Sequence, residues 1–176
     1  MDFKELIGTL HLTLRWSKSD DYEKIKKLTE SRFGNRDSQG IAENLDNRYL
    51  LLENEGGEIV ALTGLNDSKY YNGKEIDWTC LDHRYTGHNL MALLIAEVIK
   101  DCTEDVYCSC WRFENGTINL RRAMAYNNFL PALIPRLTLC SKYTNCREIC
   151  SAYNPVDGVC TCYEDLYVRK YNKTNN

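Results

Sequence analysis

Hydrophobic and polar positions alternate first between Leu10 and Trp16, where Leu10, Leu12 and Leu14 are separated by His11, Thr13 and Arg15. A period of two reads as a strand with one buried face. The period then changes. Ser19 and Asp20 offer side-chain oxygens for a helix start, and Tyr22, Ile25 and Leu28 fall on one side of the helix that follows. A polar stretch over 34–47 is assigned a short helix around 41–45. Apolar runs at 49–53 and 59–65 flank Asn54-Glu55-Gly56-Gly57-Glu58, which reads as a hairpin turn.

Asn72-Gly73 marks another turn, and residues 75–82 read as the next strand. Strict alternation predicts Ile76, Trp78 and Cys80 on one face and Glu75, Asp77, Thr79 and Leu81 on the other. A break over 83–88 leads into a helix at 89–100, in which Leu90, Leu94 and Val98 stack at spacing four. Residues 106–112 are strand-like, and the polar group 114–117 opens a helix running to about Tyr126. Residues 132–140 and 160–170 read as closing strands joined by a Cys-rich connection at about 140–162. This order predicts an α/β (α+β) fold, a mixed sheet with helices on both faces, in one domain spanning 1–176.

Composition narrows the choice of function. With 176 residues, 43% of them hydrophobic, the chain can bury a core without staples. A formal charge of −3 leaves no basic excess to follow a phosphate backbone, so nucleic acid is not the expected partner. The longest apolar run, 90–96, is far short of the roughly 20 residues that cross a bilayer. The first residues lack the basic start and unbroken apolar stretch of an export signal. A cytoplasmic protein with no membrane partner is the expectation.

Nine cysteines are an odd count, and reduced thiols are expected in that compartment. Cys108 and Cys110 share a strand face. In the late cluster of Cys140, Cys146, Cys150, Cys160 and Cys162, only Cys146 and Cys150 approach zinc-ligand spacing. No metal is expected.

The loop His83-Arg84-Tyr85-Thr86-Gly87-His88, between a strand and a helix, is the most informative place for chemistry. A helix start offers unpaired N–H groups and partial positive charge, which suit a pyrophosphate. Gly87 would let the backbone approach such a ligand closely. On the preceding strand, Glu75 and Asp77 share a face. Such carboxylates can hold a cationic amine and accept its proton, which an amine with a pKa near 10 must lose before it attacks.

The whole order resembles the GNAT superfamily of acyl-CoA-dependent N-acetyltransferases. Arg15-Trp16-Ser17-Lys18-Ser19-Asp20-Asp21-Tyr22 resembles that family's opening. Arg112 followed by Asn115 resembles its helix start after the fifth strand, and Asn128-Phe129 stands where that helix closes. A narrower likeness, carried by residues 75–82, 112–119 and 164–170, is to β-lysine N-acetyltransferases. The resemblance implies acetyl-CoA as co-substrate, the primary amine of a small molecule or peptide as acceptor, and a possible homodimer. It implies that Cys80, Leu81, Thr86, Gly87, His88, Asn89, Leu90, Met91 and Asn115 border the CoA, with Glu75, Asp77 and Tyr126 in catalysis, Glu75 foremost. Thr86 replaces the family arginine, and only Gly87 of the loop glycines is kept. Two other readings stand beside this one: a degenerate CoA-binding or regulatory module, and a metal- or redox-responsive protein built on the late cysteines.

Overall fold

The computed structural model describes residues 2–33, 45, 46, 48–112, 118, 120–132 and 163–171. The strands are β1 (Leu12–Trp16), β2 (Tyr49–Asn54), β3 (Ile59–Asp67), β4 (Lys74–Leu81), β5 (Val106–Arg112), β6 (Leu130–Pro131) and β7 (Tyr163–Arg169). The helices are α1 (Phe3–Thr9), α2 (Tyr22–Phe33), α3 (Leu90–Ile99) and α4 (Arg121–Tyr126). All seven strands form one sheet in the order β1-β2-β3-β4-β5-β7-β6. Only β4 and β5 run parallel; every other neighbouring pair is antiparallel.

Each face of the sheet has its own core. On one, Leu90, Leu94, Ile95, Val98 and Ile99 of α3 pack with Leu50, Leu52, Ile76, Val106 and Cys108 of the strands and Met124 of α4. So much of α3 is apolar because it lies in a groove between the sheet and α4 rather than on an open face. On the other face, Ile25 and Leu28 of α2 cover Tyr49, Leu51, Leu62 and Cys80. Burying each aliphatic side chain contributes roughly 1.5–3 kcal/mol.

Several elements depart from the pattern reading. The first strand starts at Leu12 because Leu10 and His11 form a turn, with His11 at φ 53 and exposed beside Glu55. Before it stands α1, whose capping box joins Asp2 and Glu5 and whose Phe3, Leu6 and Ile7 pack on the core. The start of the next helix is a 3-10 turn, Ser19–Asp21, with Lys18 rather than Ser19 or Asp20 in the capping place. The helix expected from 114–117 onward begins at Arg121, after Leu120 in a left-handed conformation. Residues 41–44, Asn115, most of 132–140 and all five late cysteines lie outside the described residues. Among the described residues no helix is long and apolar enough to cross a membrane.

Candidate functional site

The parallel pairing of β4 with β5 stops early. It joins Lys74, Glu75 and Ile76 to Val106, Tyr107 and Cys108, whereas β5 continues along β7 through Arg112. Beyond Ile76 the two strands part, and among the described residues no strand pairs with the β5-facing edge of 78–81. A bulge is the local cause. Trp78 and Thr79 together oppose the single residue Thr63, since Leu62 faces Cys80 and Gly64 faces Asp77. Trp78 adopts φ 44, a strained value for an aromatic residue, and a hydroxyl contact of 3.0 Å between Thr63 and Thr79 ties the bulge down.

This bulge also corrects the expected faces. Ile76 packs in the core under α3, while Trp78 and Cys80 pack in the core under α2. The extra residue resets the alternation, so Glu75, Asp77, Trp78 and Cys80 end on the same side. The Cys80 side chain is buried in the core under α2, and that burial pushes the thiol up to about 12. Leu81 packs on the α3 side.

At the end of β4 the chain enters the turn His83–Tyr85, capped by Asp82, whose carboxylate accepts the Arg84 amide at 2.9 Å. The Arg84 guanidinium is spent locally, on Asp82 at 2.8 Å and Glu58 at 3.2 Å. Thr86 donates its hydroxyl to the His83 carbonyl. Gly87 and Asn89 then both take left-handed conformations, φ 91 and φ 58, before α3 begins. Asn89 supplies no side-chain cap. The first-turn amides of Leu90, Met91 and Ala92 have no carbonyl one turn back to receive them. Leu90 and Met91 are buried, so they offer this spot their backbone N–H groups only. A side chain on Gly87 would meet nothing within 4 Å, so the space above the turn is open. Uncapped amides, the helix dipole and an open approach fit a pyrophosphate.

On the α2 face, the two carboxylates of β4 have different surroundings. Glu75 lies in the closed part of the ladder, between Asn66 and Tyr107, and accepts the Ser68 hydroxyl at 2.9 Å. The loop after β3 folds over it, with Tyr71 stacked on Tyr107 at 4.6 Å between ring centroids. Asp77 is the first residue past the last β4–β5 pair, and it is half-buried. Its Oδ2 accepts Asn66 at 3.1 Å and faces Arg48 at 3.5 Å. Burial raises the Asp77 pKa from the ordinary carboxylate value, against the opposing pull of Arg48. Tyr126 stands at the exposed last turn of α4.

Arg48 and Asn127 are additions that no motif announced. Asn127 is buried and donates to the carbonyls of Ala92 and Ala123, both at 2.9 Å, which ties α4 to α3. Among the described residues no three His, Cys, Asp or Glu side chains cluster as metal ligands.

Solved structures resemble this arrangement over most of its length. A GNAT-family acetyltransferase from Bacillus cereus matches with a TM-score of 0.63 at 10% identity, over 92% of this chain and 99% of that one. The chain has the GNAT acetyltransferase fold. Arabidopsis thaliana NAA60, in complex with a bisubstrate analogue, matches with a TM-score of 0.59 at 15% identity, over 92% and 98% of the two chains. The N-acetylglutamate synthase of Neisseria gonorrhoeae, complexed with coenzyme A and L-arginine, matches with a TM-score of 0.60 at 16% identity. That match covers 93% of this chain and 34% of the synthase. No protein-family model and no curated protein matches the sequence.

Proposed function

We propose that this GNAT fold transfers an acetyl group from acetyl-CoA to the primary amine of a small molecule. The observation that carries the reading is the uncapped start of α3, set behind Gly87 at the end of the strand where β4 and β5 part. Amides of Leu90, Met91 and Ala92 would hold the pyrophosphate, with Thr86, Gly87, His88 and Asn89 forming the approach. The pantetheine arm would then run into the opening beside the free edge of 78–81, and acetyl-CoA would supply a thioester carbonyl there.

The acceptor must lose a proton to attack that carbonyl. Asp77 is the better placed carboxylate, because it borders the opening, whereas Glu75 is engaged by Ser68 within the closed ladder. Burial keeps Asp77 a stronger base than an ordinary aspartate, and its charge attracts the ammonium.

Thermal denaturation with and without acetyl-CoA tests the binding half. Acetyl-CoA should raise the Tm by mass action. Gly87→Phe forces a side chain onto a left-handed residue in the approach and should abolish that rise while the apo protein still melts cooperatively. An unchanged rise in the folded variant would remove the loop from the site. Release of free thiol from acetyl-CoA, dependent on added amine, tests the transfer half.

A further inference from the structure

We infer that the acceptor is an amino acid, its carboxylate held by Arg48 while its α-amine lies against Asp77. This deepens the acetyl-transfer reading and rests on it. Three arginines in the described structure show what a satisfied guanidinium looks like here and what it does not. Arg15 makes bonds of 2.6 Å and 2.7 Å to Asp21 and of 2.6 Å to Glu53. Arg84 binds Asp82 at 2.8 Å. Arg48 instead touches the Tyr49 hydroxyl at 3.4 Å and Asp77 at 3.5 Å, both at the outer limit of a hydrogen bond. Charge-assisted bonds normally close to about 2.7–2.9 Å. Its Nη1 has no acceptor among the described residues. The guanidinium is nevertheless held in place, 5.8 Å over the Tyr49 ring, with its side chain 35% exposed.

A fork with unused donors therefore stands beside the candidate base, where β4 leaves β5. Bidentate recognition of a planar carboxylate is what a guanidinium does best. The amine and carboxylate of an α-amino acid are bonded to one carbon, so the zwitterion fits a cation and an anion set side by side. Its ammonium faces Asp77, its carboxylate faces Arg48, and each protein charge gains the close partner that their mutual 3.5 Å separation denies it. A plain diamine would satisfy Asp77 and leave Arg48 as it is.

The experiment compares L-amino acids with the matching amines that lack the carboxylate, for example L-lysine with 1,5-diaminopentane and L-leucine with 3-methylbutylamine. The readout is kcat/KM for acetyl transfer across the panel, in the wild type and in Arg48→Met. The wild type should prefer the best amino acid over its decarboxylated partner by about 10–100-fold, the usual worth of a charged hydrogen-bonded contact. Arg48→Met should erase that preference by raising KM for the amino acid; loss of the pull on Asp77 changes kcat for both members of a pair alike, so the ratio between them is the readout. Equal turnover of both members of each pair by the wild type, or a preference ratio that Arg48→Met leaves unchanged, would overturn the inference while leaving acetyl transfer standing. If no amine or amino acid is acetylated and acetyl-CoA gives no thermal shift, the underlying reading falls and takes this one with it.

Discussion

The ring of Tyr49 lies where Gly64 would carry a side chain. A Cβ at Gly64 would fall 2.9 Å from Cδ1 of Tyr49 and 3.2 Å from the carbonyl oxygen of Arg48. Tyr49, Gly64 and Asp77 stand in one cross-strand row, so a side chain at Gly64 would press on the Tyr49 ring over which Arg48 lies as it faces Asp77. Gly64→Val should therefore cost about 1–3 kcal/mol through overpacking, read as a lower urea midpoint at unchanged slope. It should also weaken turnover of the acceptor more than binding of acetyl-CoA. A variant as stable as the wild type would show that Tyr49 can move aside freely.

Asp77→Asn separates chemistry from stability. Burial raises the Asp77 pKa, so the folded protein binds this proton more tightly than the unfolded chain does. The sign follows from linkage: the charged form costs stability, which is lost as pH rises from the unfolded value near 4 through the higher folded one. At pH 7 the asparagine variant should be at least as stable as the wild type and should still bind acetyl-CoA. Its turnover should fall by about 10²–10⁴-fold, the usual loss on removing a general base. The acid limb of the wild-type kcat/KM profile should lie above the ordinary carboxylate range. Glu75→Gln should cost less; a larger loss there would return the leading role to Glu75.

Arg15 and Asp21 make the opposite case. Arg15 holds both Asp21 and Glu53 below their usual pKa values, chiefly through its hydrogen bonds to them. Stability from these carboxylates is fully present above about pH 4 and is lost as pH falls through their lowered folded values. Asp21→Asn should cost about 1.5–3 kcal/mol at pH 7, the range for hydrogen bonds to charged groups. That deficit should shrink in urea denaturation at pH 3. A deficit that does not change with pH would mean the pair acts through packing rather than charge.

The described cysteines should react unequally. Cys102, past the end of α3, is partly exposed, whereas Cys80, Cys108 and Cys110 are buried. Burial also pushes the Cys80 thiol up to about 12, which leaves almost no thiolate at neutral pH. Brief treatment of native protein with iodoacetamide at pH 8 should label Cys102 and spare the other three until denaturant is added. Peptide mass mapping reads the order, and early labelling of Cys80 would indicate that α2 lifts readily from the sheet.

Much of the architecture is written locally. The hairpin between β2 and β3 follows from apolar runs around Asn54 and Gly57, and α3 from its spacing of four. Gly87, as the left-handed residue before α3, was equally legible, because strand, glycine and helix are neighbours in sequence. Even the missed α1 carries a local signal, the Asp2–Glu5 capping box ahead of Phe3, Leu6 and Ile7. Elsewhere alternation was misleading. It placed Ile76 with Trp78 and Cys80, and nothing in residues 74–81 announces that one of them is extra. A bulge is a relation between two strands: it exists only when Thr63 is set opposite Trp78 and Thr79. The parting of β4 from β5 follows that same offset, and the Tyr49 ring that underlies Arg48 sits in the space left at Gly64. Periodicity records which way a side chain points along its own strand. Which strand stands beside it, in which register, and which distant charge comes within reach are decided only when the sheet is assembled.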